Sequence, residues 1–191
     1  MKNLANYVRV YDDVFDKKTC NELINLYDAQ TPITTPYMRK SDHQWEQDYR
    51  SFMELDICRV DSFKPFIEEY YARVRQVYDH YKSVVDSSFF PSKFAFEDAR
   101  LKKYEANDHD QFGWHIDVGD KASSSRYLVM FTYLNDVEEG GETEFQSDIE
   151  FQVKPVCGRM VVFPPMWMWP HRGKKPISGP KYILSTYLHY V

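Results

Sequence analysis

The spacing of hydrophobic positions predicts two helices in the first half of the chain. The segment DKKTCNELINLYDAQ carries Leu23, Ile24 and Tyr27 at helical spacing, with Asp16 as the expected N-cap. The segment SFKPFIEEYYARVRQVYDHYKSVV has a broader apolar stripe, which predicts a helix packed on a sheet. A short strand is predicted in NYVRVYDDVF, and the polar segment TPITTPYMRKSDHQWEQDYR is expected to be a loop.

The second half of the chain consists of short strand-like runs that end at turn residues. These runs are, in order, FAFEDARLKKYEA, QFGWHIDV, RYLVMFTYLND, GETEF, EFQVKP, RMVVFPP and KYILSTYLHYV. YLVMFTYL and RMVVF are almost continuously apolar, which is typical of strands buried on both faces. Several short strands at this spacing predict a β-sandwich or barrel, with the earlier helices packed outside it.

Composition narrows the class of protein. A length of 191 residues suits one domain, or one domain with an added lobe, and 43% hydrophobic residues indicate a soluble globular chain. The three cysteines form no CxxC pair, so neither a zinc knuckle nor a disulfide framework is expected. The first residues lack the apolar core of a secretory signal, and no apolar run reaches membrane-spanning length. We therefore expect a cytoplasmic protein without a membrane partner.

Charge argues against a nucleic-acid partner. The formal net charge is −5, and no stripe of lysine and arginine is long enough to indicate a surface for phosphates. We therefore expect no nucleic acid among the partners.

The segment GWHIDVG, residues 113–119, contains the first candidate chemistry. Residues two apart in a strand point to the same face, so His115 and Asp117 are predicted to lie side by side, with Trp114, Ile116 and Val118 turned toward the core. Two interpretations remain open for this pair alone. It is either an ordinary hydrogen-bonded pair at a solvated sheet edge or one half of a metal site.

His171, in a segment rich in tryptophan and proline near the end of the chain, favours the metal site. Two imidazoles and one carboxylate leave three neighbouring coordination positions open, which is typical of non-haem Fe(II) oxygenases. Zinc is more often held tetrahedrally, with one open position or none.

Several motifs in the same order resemble those of the prolyl 4-hydroxylase-like Fe(II)/2-oxoglutarate-dependent dioxygenases. That family has an HxD pair, a distal histidine and a basic residue about ten positions later. Here these are His115, Asp117, His171 and Lys181. The segments LKKYEANDHDQFGWHID, FTYLNDVEEGGETEF and PVCGRMVVFPP also resemble family segments, and the close resemblance covers roughly residues 94–191.

The resemblance implies a mainly β, α+β fold with a double-stranded β-helix, or jelly-roll, core and N-terminal helices packed against one sheet. It implies one domain over residues 1–191, in which residues 1–93 form the N-terminal strand and supporting helices and residues 94–191 the catalytic core. His115, Asp117 and His171 are then the metal ligands and catalytic residues. The expected contacts of the cosubstrate are Lys181, Tyr104, Tyr133 and Ser185.

The implied reaction is hydroxylation of an unactivated C–H bond with Fe(II), 2-oxoglutarate and O2, which forms succinate and CO2; ascorbate is an optional addition. A prolyl residue in a protein or peptide is the first candidate substrate, with Trp167, Trp169 and Tyr187 as an aromatic surface for the proline ring. Alternatives are a free amino acid or other small molecule, a metallohydrolase, and a non-catalytic binding module on the same fold. The protein is expected to be a monomer or homodimer.

Overall fold

The computed structural model describes residues 4–30, 35–39, 50–146 and 151–191, and for residues 35–39 it describes the backbone alone. Two α-helices occur in these ranges, α1 (Lys17–Asp28) and α2 (Lys64–Val84). The strands are β1 (Arg9–Tyr11), β2 (Thr35–Arg39), β3 (Arg50–Asp56), β4 (Phe94–Phe96), β5 (Arg100–Tyr104), β6 (Gln111–His115), β7 (Arg126–Tyr133), β8 (Thr143–Phe145), β9 (Phe151–Val153), β10 (Met160–Phe163), β11 (His171–Gly173) and β12 (Lys181–Tyr190).

The strands form one antiparallel ladder that curls into a nearly closed barrel. Their order is β1-β10-β7-β12-β5-β3-β6-β11-β8-β9, and β2 pairs with β3 while β4 pairs with β12. Most neighbours in this order are far apart in the chain, as in a jelly roll. The predicted mainly β jelly-roll fold with N-terminal helices is thereby confirmed.

Strand β7 is buried on both faces, as its continuous apolar run predicts. Tyr127, Leu128 and Met130 pack in a cluster with α1 and α2 on the outside of the sheet. Phe131 and Tyr133 belong to a second cluster inside the barrel, together with residues of β8 and β10. The sheet therefore separates a helix-covered core from a barrel interior, and the interior is where a site can form.

Both predicted helices are present. Asp16 is the N-cap of α1, and its carboxylate accepts a hydrogen bond from the Thr19 N–H at 2.7 Å. Helix α2 buries most of the apolar stripe that its periodicity predicted, whereas Phe66, Ile67 and Tyr71 of that stripe are only partly buried. The buried residues of the helix are Tyr70, Val74, Val77, Tyr78 and Tyr81. None of the described helices is long and apolar enough to cross a lipid bilayer.

The loop expected over residues 31–50 is wrong in part. Residues 35–39 form the strand β2, which pairs with β3, and Arg50 begins β3. Among the described strands, β2 pairs with β3 alone, and an edge position of this kind tolerates Pro36, which lacks an N–H. The rest of the segment, residues 31–34 and 40–49, lies outside the described residues.

Candidate active site

Strands β6 and β11 bring the two candidate histidines together. His115 is the last residue of β6 and His171 is the first residue of β11, and the two are partners across this antiparallel pair. Their ring centroids lie 4.2 Å apart. The barrel therefore makes neighbours of two residues that the sequence separates widely.

Asp117 lies just beyond the end of β6, close to both histidines. We call His115, Asp117 and His171 the metal group, since they are the candidate metal ligands. The Asp117 carboxylate lies 3.4 Å from Nε2 of His115 and 3.5 Å from Nε2 of His171. One donor atom from each of the three residues lies within 4.8 Å of the others, which is close enough for all three to hold one metal ion.

Backbone carbonyls orient both imidazoles. Nδ1 of His115 donates to the Gly113 carbonyl at 2.7 Å, and Nδ1 of His171 donates to the Trp169 carbonyl at 3.0 Å. Because Nδ1 carries the proton, each Nε2 keeps a free lone pair, and both Nε2 atoms face Asp117. Two imidazole nitrogens and one carboxylate, oriented in this way, fit a ferrous ion.

Protonation states also suit metal binding. Burial, with the neighbouring His171 ring, lowers the pKa of His115 to about 4. Burial of Asp117 acts to raise its pKa, but the two imidazoles outweigh it and hold that pKa below its ordinary value. The imidazole of His115 is therefore neutral and the carboxylate ionised near pH 7, which are the forms that bind metals.

The predicted strand alternation around HxD is wrong beyond His115. The strand ends there, and the N–H of Asp117 instead donates to the Pro165 carbonyl at 3.1 Å. Trp114 does not enter the core: it is 39% exposed, with the Arg172 guanidinium 4.8 Å from its ring centroid. The chain therefore leaves the strand after His115, and Asp117 reaches the two histidines from the loop that follows.

A cavity that is open to solvent lies beside the three residues. Its lining includes all seven predicted site residues, namely Tyr104, His115, Asp117, Tyr133, His171, Lys181 and Ser185. Phe112 also lines it and stacks on the ring of His115, with centroids 3.4 Å apart. The metal group and the expected cosubstrate contacts therefore share one space.

Lys181 provides a buried cation in this cavity and is only 2% exposed. Its ammonium donates to the carbonyls of Gly141 at 3.0 Å and Lys174 at 3.2 Å, and it lies 4.5 Å from the Tyr104 ring centroid. Two of its three N–H groups are thus used. Burial lowers its pKa to about 7, although the charge of Glu142 opposes this shift.

The remaining predicted contacts are engaged with the protein itself. The Tyr133 hydroxyl lies 2.6 Å from Oγ1 of Thr143 and donates to the Val153 carbonyl at 3.3 Å. Because Tyr133 gives its one proton to Val153, Thr143 donates its own proton to Tyr133. Either hydroxyl must therefore break its present hydrogen bond before it can donate to a carboxylate. Ser185 donates to the Arg100 carbonyl at 3.3 Å and keeps its acceptor capacity.

The expected aromatic surface for a proline ring does not form as one unit. Trp167 is 73% exposed, but Trp169 is buried, stacks edge-on against Tyr7 and donates to the Leu4 carbonyl at 3.2 Å. Tyr187 alone of the three lines the cavity. The pattern of adjacent aromatics could not show that the segment before β11 places both tryptophans outside the cavity lining.

Sequence reasoning missed an ionic group beside the metal residues. The Arg126 guanidinium is bidentate to Glu97, at 2.6 and 2.8 Å, and lies 3.9 Å from the centroid of the Tyr187 ring. It also reaches the Asp117 carbonyl at 3.5 Å. These residues come from different strands and loops, so no local pattern signals the group.

Lys102 was also missed, although a signal existed. It lines the cavity from β5 and is only 8% exposed. Strand alternation places it on the same face as Tyr104, a residue that the sequence did assign to the pocket.

Fold and site together define the class of protein. A jelly roll that holds two histidines and one carboxylate around an open space, next to a buried lysine, is typical of non-haem Fe(II) oxygenases. Residues 99–189 match the family model of the 2OG-Fe(II) oxygenase superfamily. This stretch contains the three candidate ligands and Lys181. This match and the site support a 2-oxoglutarate-dependent dioxygenase, and the fold is like that of prolyl 4-hydroxylases.

Solved structures of similar fold include several prolyl hydroxylases. A viral collagen prolyl hydroxylase from Paramecium Bursaria Chlorella virus-1 matches with TM-score 0.66 and 19% identity, over 97% of this chain and 96% of that one. A Trichoplax adhaerens prolyl hydroxylase, in complex with a hypoxia inducible factor peptide fragment, matches with TM-score 0.75 and 14% identity, over 96% and 84%.

A Pseudomonas putida prolyl-4-hydroxylase matches with TM-score 0.67 and 16% identity, over 97% of this chain and 94% of that one. At these identities the likeness establishes the fold. No curated protein sequence is significantly similar to the chain.

Proposed function

We propose that the protein hydroxylates a prolyl residue in a protein or peptide, with Fe(II), 2-oxoglutarate and O2, and releases succinate and CO2. The observation that carries this proposal is the convergence of His115, Asp117 and His171 within 4.8 Å, in a cavity that also contains the buried Lys181. A metal site and a cationic anchor in one cavity are what a chelating dicarboxylate requires.

His115, Asp117 and His171 are the proposed ligands of the ferrous ion. A bound ferrous ion would supply the oxidative chemistry that couples decarboxylation of 2-oxoglutarate to hydroxylation of a C–H bond. The protein's own contribution is orientation: the carbonyls of Gly113 and Trp169 hold the two imidazoles, and the Asp117 charge offsets that of the metal.

Lys181 is the proposed partner of the far carboxylate of 2-oxoglutarate. A carboxylate inside the barrel needs a cation and hydrogen bonds to compensate for lost water. Lys181 has one N–H left for this purpose. Tyr104 supports the ammonium through its ring, 4.5 Å away.

Apolar side chains are proposed to keep water from the reacting centre. Val129, Phe131, Phe163 and Ile183 line the same cavity as the metal residues. A dry wall of this kind strengthens the charge interactions within the site and restricts the space open to solvent.

A peptidyl proline is the proposed substrate because the similar folds include proteins named as prolyl hydroxylases, one of them in complex with a peptide fragment. Their identity to this chain is low, so the residue that is hydroxylated must be established by experiment. A dependence on ascorbate, a cytoplasmic location and a monomeric or dimeric state stay predictions.

The test is formation of succinate from 2-oxoglutarate in the presence of Fe(II) and ascorbate, followed by mass spectrometry of a panel of proline-containing peptides for a gain of one oxygen. We expect wild type to form succinate and His171→Ala to lose this activity. His80→Ala is the matched control, because His80 lies exposed on α2, with Nδ1 3.4 Å from the Tyr11 hydroxyl. Equal rates in wild type and His171→Ala would refute the assignment.

A further inference from the structure

A second lysine, Lys102, lies in the active-site cavity. In β5 it pairs with Glu54 of β3 on one side and with Ile183 of β12 on the other. It lines the same cavity as His115 and Asp117. The cavity therefore contains two lysines, of which the proposed function uses only Lys181.

The two lysines differ in how the protein satisfies them. Lys181 donates to two backbone carbonyls. Lys102 has only an ion pair with Glu54, whose Oε2 lies 3.8 Å from its Nζ, beyond hydrogen-bond distance. Within the part of the chain that the structure describes, its other contact is the Phe52 ring, 5.5 Å away. Its three N–H groups therefore have no hydrogen-bond acceptor among these residues.

Such an ammonium is costly to bury. Burial lowers the pKa of Lys102, and Arg50 and Arg126 contribute to the same shift, while Glu54 and Asp117 oppose it. An ionised group with few hydrogen bonds destabilises a protein unless a ligand compensates for the lost water. A carboxylate brought into the cavity would accept the unused N–H groups.

The position of Lys102 separates it from the expected site of the cosubstrate. The strand partner of Lys181 is Tyr104, whereas Lys102 lies two residues back along β5, which corresponds to roughly 7 Å in a strand. On the same face, two residues further back, comes Arg100, whose side chain is 41% exposed. Lys102 is thus displaced along β5 from the Lys181 end of the cavity, in the direction of the exposed Arg100.

We propose that Lys102 binds a carboxylate of the ligands in this cavity, and the geometry favours a carboxylate of the primary substrate over that of 2-oxoglutarate. This inference rests on the proposed function and narrows its substrate class to acidic molecules. These are peptides with an acidic residue beside the hydroxylated position.

The experiment measures binding without turnover. Protein loaded with Mn(II) and 2-oxoglutarate under anaerobic conditions is titrated calorimetrically with L-proline and L-prolinamide. It is also titrated with proline pentapeptides that carry either Asp or Asn beside the proline. We expect at least one acidic probe to bind about ten-fold more tightly than its amide, since a charge-assisted hydrogen bond has about that effect.

Three variants make the comparison specific. Lys102→Met should abolish the difference between acid and amide, and Lys102→Arg should keep it. Lys103→Met is the matched control, because Lys103 lies on the opposite face of β5, with Nζ 3.2 Å from Oδ1 of Asp28, and it should behave as wild type. Thermal unfolding of each variant establishes that it is folded.

The 2-oxoglutarate titration separates the two sources of carboxylate. One outcome is a Kd for 2-oxoglutarate that is ten-fold higher in Lys102→Met, while acid and amide probes bind wild type equally. Lys102 would then be a carboxylate contact of the cosubstrate and not of the primary substrate. An unchanged Kd for 2-oxoglutarate together with equal or absent binding of acids and amides would overturn the inference. Failure of wild type to form succinate would refute the proposed function instead, because these titrations need no turnover.

Discussion

Each histidine of the metal group is oriented by the backbone carbonyl two residues before it. His115 donates to Gly113 and His171 to Trp169, so the same local arrangement occurs in two separate strands. The side chain thereby keeps Nε2 free without help from a distant residue. At the scale of single residues, short local contacts and burial determine the state of the site. Burial lowers the pKa of His115 to about 4, so this imidazole is neutral, and it lowers the pKa of Lys181 to about 7.

Binding of 2-oxoglutarate should weaken as the pH rises above 7. Burial lowers the pKa of Lys181 to about 7, so the free protein loses the ammonium proton above that pH. A carboxylate ligand needs the charged form, and binding must then take up a proton. We expect the Kd for 2-oxoglutarate to rise by up to about ten-fold per pH unit between pH 7 and 9, as measured by calorimetry.

Lys181→Arg provides the control for this pH dependence. A guanidinium stays protonated over the whole range, so its Kd should change far less with pH. A wild-type Kd that is constant between pH 7 and 9 would show that Lys181 does not carry the interaction.

Strand β12 is the element that connects the core to the site. Lys181, Ile183, Ser185 and Tyr187 alternate along it into the cavity, and the intervening face packs on the helices through Tyr182, Leu184 and Leu188. The turn before β8 holds the Lys181 end in place, because the Gly141 carbonyl accepts from the ammonium.

Gly140→Ala should destabilise the protein and weaken 2-oxoglutarate binding. Gly140 has φ +76°, and an added Cβ would lie 2.4 Å from the Lys175 carbonyl oxygen. We expect a loss of roughly 1–3 kcal/mol in the free energy of unfolding, measured with urea, and a raised Kd because the neighbouring carbonyl that holds Lys181 shifts.

Gly179→Ala is the matched control for Gly140→Ala, since a Cβ at Gly179 meets nothing within 4 Å. Its unfolding free energy and Kd should stay near those of wild type. Equal behaviour of the two variants would contradict the role assigned to the turn.

The whole molecule has its ligand site inside the barrel, where residues from distant parts of the chain meet. The metal group joins β6 to β11, and the cavity also draws on β5, β7, β8, β10 and β12. Ligands that bind only this assembled state must stabilise it against unfolding.

Mn(II) with 2-oxoglutarate should therefore raise the free energy of unfolding. At concentrations one hundred times each Kd, the expected gain is about 2.7 kcal/mol per ligand, measured by urea denaturation. A chelator should reverse the part of this gain in unfolding free energy that depends on Mn(II).

The variant Asp117→Asn should not show the Mn(II)-dependent gain, because it lacks the anionic ligand. A full gain in this variant would show that the metal binds elsewhere.

Much of the fold could be predicted locally because hydrophobic periodicity reports on burial. The apolar stripe of α2 and the continuous run of β7 indicated a buried helix and a strand covered on both sides, and both are present. The strand β2 was missed because its sequence is polar and contains Pro36, and pairing with β3 outweighs local preference. The three-residue strand β11 was missed because it is too short for any periodicity.

The chain's order of motifs was sufficient by itself to select the candidate ligands, the basic residue and the class of oxygenase, because that chemistry requires particular residue types at particular spacings. Only the tertiary structure decided that Trp114 and Trp169 point away from the cavity. The direction of a side chain depends on where a strand ends and which strands flank it. Those are properties of contacts between distant segments, which local sequence does not encode.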